Sequence, residues 1–485
     1  MANTFNRKFS SNVGNTFVKV GNYTVAANTS AVVLGLNITN TSGGVVTANV
    51  SLNNGQSDFY LAKNTLLSHG SSLSVAGGDQ KLVLQTGDSI KVSSSGITDA
   101  MSAYLEQDTT AGRGSEYEYY TFGPRVQVAN AYAGYDTLYD SVSDRVVISS
   151  WLSNDRAAAI VGEVVDNTIT FGPENQFGTV LIQSSSITMD TTNNKVVAWN
   201  GPGTIVVGVI HPGNNTVSFG SPVTFDTPSF PATIDGSGDI TYDSINNRVV
   251  VAYEKGTFPQ DTYVVVGEVS GFSVNFGTPV LVQEDTNTNY GPKIDYIPSA
   301  QRIAVTYSRQ TSSNLNVRIG YVSGNTITFG DTVIIDANDT YFPTTTVTST
   351  GELAIAYIDY GAAPYPTKVV AGTVSSNTVT FGSKISISDY EQNYINIEYW
   401  SGQNKLLVTS TDEATITRCN VAIIDISGTT LTLVEDKEFL DGEIDRASSG
   451  VSVGGENNFL LVYNDYINDG FGNISYTAKA TLLSY

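Results

Sequence analysis

The sequence predicts an all-β protein. An antiparallel β-sandwich at the N-terminus is followed by a C-terminal β-propeller, most simply of seven blades, whose ring is closed by both ends of the propeller segment. Three observations predict this. The composition is rich in Gly (45 of 485 residues) and Tyr (27), and only 14% of residues are charged, which suits strands with polar, uncharged outer faces and not helices or disorder. The charge changes abruptly along the chain. A Phe-Gly motif then recurs through the rest of it.

Residues 1–108 hold six basic and six acidic side chains, so the whole formal charge of −22 lies beyond residue 108. The Gly/Thr-rich run Thr109-Thr110-Ala111-Gly112-Arg113-Gly114-Ser115 sits at the break, and 109–116 reads as a linker. The first domain, 1–108, reads as short strands between turn signals. They are Phe17–Val20, Tyr23–Ala26, Val32–Thr39, Val45–Leu52, Phe59–Leu61, Ser72–Val75, Lys81–Leu84, Ser89–Val92 and Ser102–Glu106. Stretches such as Thr47–Leu52 alternate apolar with polar, which buries one face of a sheet and wets the other.

The second domain, 117–485, is a repeat. Asn167-Thr-Ile-Thr-Phe171-Gly172 returns as Asn215–Gly220, Phe272–Gly277, Asn325–Gly330 and Asn377–Gly382, with an early copy at Tyr120–Gly123 and a degraded one at Thr430–Leu433. The intervals are 49, 48, 57, 53, 52 and 52 residues. Each full repeat holds four strand-like segments, in the third Asp239–Tyr242, Arg248–Tyr253, Tyr263–Val269 and Ser273–Val282. A four-stranded antiparallel unit repeated about every 50 residues is the pattern of propeller blades. The first copy is an outer strand without inner ones. The C-terminus supplies Gly450–Val453, Phe459–Tyr463 and Ile474–Leu482 without an outer strand, so the two ends together complete one blade. Identical residues around a ring point to packing: Phe between neighbouring blades, Gly at a bulge or close approach.

Chemistry-bearing motifs are sparse. One cysteine, Cys419, excludes an internal disulfide, and two histidines, His69 and His211, leave little for a triad or a His-based metal centre. The acidic balance argues against nucleic-acid binding, and no apolar run is long enough for membrane insertion through a helix. Gly450-Val-Ser452-Val-Gly454 matches a nucleophile elbow in form, but it falls on an inner strand with no helix after it. Asp235 with Asp239, and Asp465 with Asp469, stand in oxygen-rich turns that could hold calcium, the one cofactor suggested; solvated turns are the simpler account.

The loops say more. On one face of a propeller, outer-to-inner connections lie beside the loops between second and third strands. Here those loops pair acids with aromatics: Phe230, Tyr290, Tyr341, Phe342, Tyr360, Tyr365, Tyr394 and Tyr466. Such a rim could stack on sugar rings while Asp and Asn oxygens accept hydroxyl hydrogen bonds, or the rings could simply brace adjacent blades.

Phe17-Val-Lys-Val-Gly-Asn-Tyr-Thr-Val, Val33-Leu-Gly-Leu-Asn-Ile-Thr-Asn-Thr-Ser, Asp58-Phe-Tyr-Leu-Ala-Lys and Lys81-Leu-Val-Leu-Gln-Thr-Gly-Asp-Ser-Ile-Lys-Val resemble a β-sandwich module common in virion proteins of tailed bacteriophages. The Phe-Gly propeller repeats are similar to those of phage fibre-like and other surface proteins. The resemblance implies a structural protein of the virion surface, at the neck, tail fibre or head, assembled in the host cytoplasm. It would attach to other virion proteins through 1–108, with Arg7 and Lys8 at the tip of that domain, and would form a homo-oligomer in the particle. The propeller would be displayed for a host cell-surface glycan or protein. Two alternatives stand beside this adhesin: a polysaccharide-degrading propeller with Asp and Glu as acid and base, and a decoration protein that only cements the particle.

Overall fold

In the computed structural model, residues 3–484 are described apart from 27–28, 55–56, 78–80, 109–120, 130–131, 152–156, 166–167, 179–185, 200–202, 227–237, 257–258, 287–290, 310–313, 362, 389–391, 413–418, 439–443, 454–457 and 469–473. Residues 1–118 and 119–485 form two compact units.

The first unit is a sandwich of two antiparallel sheets. One runs, in spatial order, Asn3–Val13, Thr98–Asp108, Thr29–Asn40 and Ser72–Ala76, with Leu82–Leu84 also paired to 29–40. The other runs Val18–Lys19, Ser89–Ser94, Val46–Asn53 and Asp58–Leu67. Alternation drives the packing: Val46, Ala48 and Val50 point inward with Leu36, Ile38, Ile90, Val92 and Tyr104.

Two expectations are corrected here. Arg7 and Lys8 are not at a tip; they lie inside the eleven-residue edge strand Asn3–Val13, opposite Ala103 and Ser102. That strand escaped the sequence because its pattern is inverted. Phe5 and Phe9 face outward, 72% and 60% exposed, while the inward side is polar. Asn6 bonds Glu106, Ser10 accepts from Gly21 N at 2.9 Å, and Lys8 lies 5.3 Å over the Tyr23 ring. Tyr23–Ala26, expected as a strand, pairs in no sheet; it is tied by Val25 N donating to Asp88 O at 2.9 Å.

The second unit is a propeller of seven sheets among the described residues. Numbered from the first complete one, the inner strands of blades 1 to 7 are Tyr132–Asp140, Ile187–Asp190, Gly238–Asp243, Lys293–Ile297, Thr340–Val347, Gln392–Trp400 and Ile444–Val453. Each neighbours the next, and that of blade 7 neighbours that of blade 1. Blade 7 joins the two ends of the propeller segment. Thr121–Phe122 and Val126–Ala129 pair with Ile474–Ser484, whose inner partners are Asn458–Asn468 and Ile444–Val453.

The Phe-Gly motif is a packing device. In blades 1 to 5 the Phe faces a glycine on the third strand: Phe171 and Gly162, Phe219 and Gly208, Phe276 and Gly267, Phe329 and Gly320, Phe381 and Gly372; in blade 7 Phe122 faces Leu483. A Cβ on Gly208 would lie 2.7 Å from the Phe219 ring, so the ring occupies the room that the missing side chain leaves. The motif glycine meets the next blade. A Cβ at Gly172, Gly277 or Gly330 would lie 1.9, 1.8 or 2.1 Å from the carbonyl oxygen of Asn215, Asn325 or Asn377. Blade 6, where Leu433 replaces Phe, places Ile424 opposite it and not Gly, so ring and cavity are lost together.

A second device repeats from blade to blade. The turn after the inner strand is capped by an aspartate in blades 1 to 3, for instance Asp243, which accepts from Ile245 N at 3.1 Å and Asn246 N at 3.0 Å. In blades 1 and 4 the arginine after the turn reaches the motif Asn of the next blade, and in blade 3 Arg248 reaches Gly324 O of the next blade at 3.2 Å. Arg145 Nε donates to Asn215 Oδ1 at 2.7 Å, and Arg302 Nε to Asn377 Oδ1 at 2.8 Å.

Candidate functional site

On the loop-rich face, two outer-to-inner connections carry aspartates that are already committed. Asp226 accepts from Tyr253 OH at 2.7 Å and from Lys255 Nζ at 2.8 Å. Asp336 repeats this arrangement, accepting from Tyr357 OH at 2.7 Å and Lys384 Nζ at 2.8 Å. Both tyrosines are fully buried, and each latches its blade to the connection that precedes it. Lys384 and the Tyr357 hydroxyl hold Asp336 below the usual carboxylate range against the opposing effect of desolvation. These aspartates are structural ties, a role that sequence spacing did not show.

Blade 5 carries the aromatic cluster. Tyr341 and Phe342 begin its inner strand, and Tyr360 and Tyr365 lie in the loop between its second and third strands. Tyr360 stacks on Tyr365, with ring centroids 4.6 Å apart at 13°, and packs on Tyr341 at 4.2 Å and 43°. The two loops are tied together: Tyr360 N donates to Asp339 O at 2.8 Å, and Asn338 Nδ2 to Asp359 Oδ1 at 3.2 Å. Lys368 pairs with Asp359, which also accepts from Gly361 N at 2.9 Å. Phe342 and Tyr365 have φ of 52° and 59°, a left-handed backbone rarely taken by aromatic residues, and such strain collects where a loop's shape matters. All four rings are half-buried, with one side against the apolar core that blades 5 and 6 share. Desolvation first, then Asp339, raises the Tyr341 hydroxyl's pKa, so it stays protonated and able to donate. The cluster therefore braces the blades and also offers ring edges, hydroxyls and acceptor oxygens to solvent.

The other expected residues fall differently. Phe230, Tyr290, Asp235 and Asp469 lie outside the described residues, as do the side chains of Tyr394, Tyr466 and Asp465. Asp239 is not in a calcium turn. It lies on the inner strand of blade 3, where Oδ1 accepts from Ile240 N at 2.9 Å and Oδ2 from Ile294 N of blade 4 at 3.0 Å. Among the described residues, no group of three or more His, Cys, Asp or Glu is arranged to hold a metal ion.

Asp239 belongs to a polar ring on the propeller axis. Asp136, Ser186, Asp239, Lys293, Thr344, Asn396 and Ser449 stand four positions before the inner strand's end in six blades and three before it in blade 5. In blades 1, 5, 6 and 7 the strand's register slips just before this position, a bulge that re-aims the side chain. The ring links neighbouring blades. Asp136 Oδ2 accepts from Ile187 N of blade 2 at 2.9 Å, and Thr344 donates to Asn396 at 2.9 Å. Beside Ser449, Gly450 O accepts from Thr137 Oγ1 of blade 1 at 2.7 Å. Two residues further along, Asp295 and Glu398 add carboxyls. Desolvation, then Asp239, pushes Asp136 up to about 7. Desolvation pushes Asp295 up to about 6, and desolvation with Asp136 raises Glu398 well above its ordinary value.

No protein-family model matches the chain, and no curated protein does. Among solved structures, a protein from Lactobacillus plantarum is similar at 12% identity, with 69% of this chain and 95% of that one covered and a TM-score of 0.46. The NanB sialidase of Streptococcus pneumoniae is similar at 10% identity, covering 99% and 98%, with a TM-score of 0.41. A leech intramolecular trans-sialidase is similar at 10%, covering 99% and 98%, with a TM-score of 0.40.

Proposed function

We propose that this is a structural and adhesion protein of a phage particle, anchored through its sandwich and recognising a host-surface glycan on the loop-rich face of its propeller. The sequence stretches of 14–107 support the particle assignment. The observation that carries the recognition is the Tyr341–Tyr360–Tyr365 stack beside Asp339 and Asn338: flat apolar faces next to fixed oxygen and amide groups are what a sugar's alternating C–H and hydroxyl surface requires.

The depolymerase alternative gains little from the carboxyls. Retaining glycosidases hold two about 5–5.5 Å apart across the scissile bond. Asp136 and Asp239 both reach the Ser186 hydroxyl, which lies between them at 3.0 and 2.6 Å, and four backbone amides occupy their oxygens.

The test incubates the full chain with host cells and with isolated surface polysaccharide, and scores bound protein and released oligosaccharide together. Binding without release is expected, weakened about tenfold in Tyr360→Ala. Release of defined oligosaccharides would replace the adhesin with an enzyme, and binding unchanged in Tyr360→Ala would remove blade 5 from the site.

A further inference from the structure

We propose that the propeller axis is locked by a shared proton: Ser186 bridges Asp136 and Asp239, one of these two carboxyls is protonated in the folded protein, and loss of that proton loosens the seam between blades 1, 2 and 3. The argument is one of counting hydrogens. Ser186 Oγ lies 3.0 Å from Asp136 Oδ2 and 2.6 Å from Asp239 Oδ1. A hydroxyl has one proton to donate. It serves one carboxylate, so the other oxygen is in favourable contact only if its own carboxyl donates to Oγ. Each of those two oxygens also takes one backbone amide, Ile187 N on Asp136 Oδ2 at 2.9 Å and Ile240 N on Asp239 Oδ1 at 2.9 Å, but neither amide hydrogen stands between its carboxyl oxygen and the Ser186 hydroxyl.

The surroundings favour the neutral form. Asp295 from blade 4 and Glu398 from blade 6 face the same axis, and Lys293 from blade 4 is the cation acting on Asp136 and Asp295. Thr344 from blade 5 and Ser449 from blade 7 complete the ring without charge. The upward shift of Asp136 agrees with the hydrogen count. Its sign fixes the direction of the effect. A carboxyl whose folded pKa, about 7, exceeds its ordinary 3.8 gives stability that is complete below about pH 4 and is lost as pH rises to about 7.

The experiment compares thermal unfolding of the full-length wild type and Asp136→Asn from about pH 5 to pH 8. The variant keeps the shape and cannot ionise, so it should gain on the wild type as pH rises. The ratio of their unfolding constants should move by up to about 100-fold between pH 5 and 7 and then level off. A pH-independent difference, or one of opposite slope, would overturn the proposal. Should Asp136→Asn not fold, infrared spectra of the wild type in deuterated buffer decide. A protonated-carboxyl stretch at about pH 6 that is weaker in Asp239→Asn than in the wild type is expected, the remainder coming from Asp295 and Glu398, and a band of equal size in the two proteins would overturn the shared proton.

Discussion

The sandwich and the propeller use the same alternation of strand residues to opposite ends. Among the described residues, eleven large hydrophobic side chains are exposed in the first 108 positions, Phe5, Phe9, Phe59, Tyr60 and Leu66 among them, against eight in the much longer remainder. In the sandwich, apolar residues stand on edge strands and outer faces, beside a balanced set of charges. In the propeller they are drawn into the blade seams, and an excess of acids is left outside. One unit keeps large apolar side chains on its surface among balanced charges, which fits the proposed attachment through that unit, while the other exposes few of them and carries the excess of acids. Apolar content alone does not distinguish them; where each strand turns its apolar side does.

This contrast can be broken at its strongest point, the seams. Gly277→Ala places a Cβ against the Asn325 carbonyl, backbone against side chain, and should cost the propeller about 3 kcal/mol by calorimetry. A cost below about 1 kcal/mol would mean that the blades are not closely packed there. Next in size is the latch. Tyr253→Phe removes the donor to Asp226 and should cost about 1–2 kcal/mol, with Lys255 retaining part of the interaction. The smallest effect on stability belongs to the sandwich surface. Phe5→Ser with Phe9→Ser should change its unfolding by no more than about 0.5 kcal/mol while reducing self-association or attachment. A large loss of stability would show that these rings are part of a core.

Much of the fold was legible because packing repeats. Phe-Gly returns in the outer strands of six of the seven blades, and the order of strands at the two ends identified the shared blade. The axial ring was hidden because its seven members share polarity and not identity: aligned on the turn that follows, Asp136, Ser186, Asp239, Lys293, Thr344, Asn396 and Ser449 form a column, but no motif search would group them. Asp226 and Asp336 were visible as acids near aromatics, yet their partners Tyr253 and Tyr357 lie 27 and 21 residues further on, across a blade seam. The blade 5 cluster was within reach since its four aromatics occur in two loops that the repeat places on one face. The strand Asn3–Val13 was not, because its apolar residues point away from the core.

The division of labour between the units is tested most directly by a paired experiment on the full chain. Phe5→Ser with Phe9→Ser, and separately Tyr360→Ala, would be compared with wild type for oligomeric state by sedimentation and for polysaccharide binding. The account predicts that the sandwich variant loses association and keeps binding, while the platform variant keeps association and loses binding. Loss of both properties in either variant, or of the opposite property in each, would contradict it.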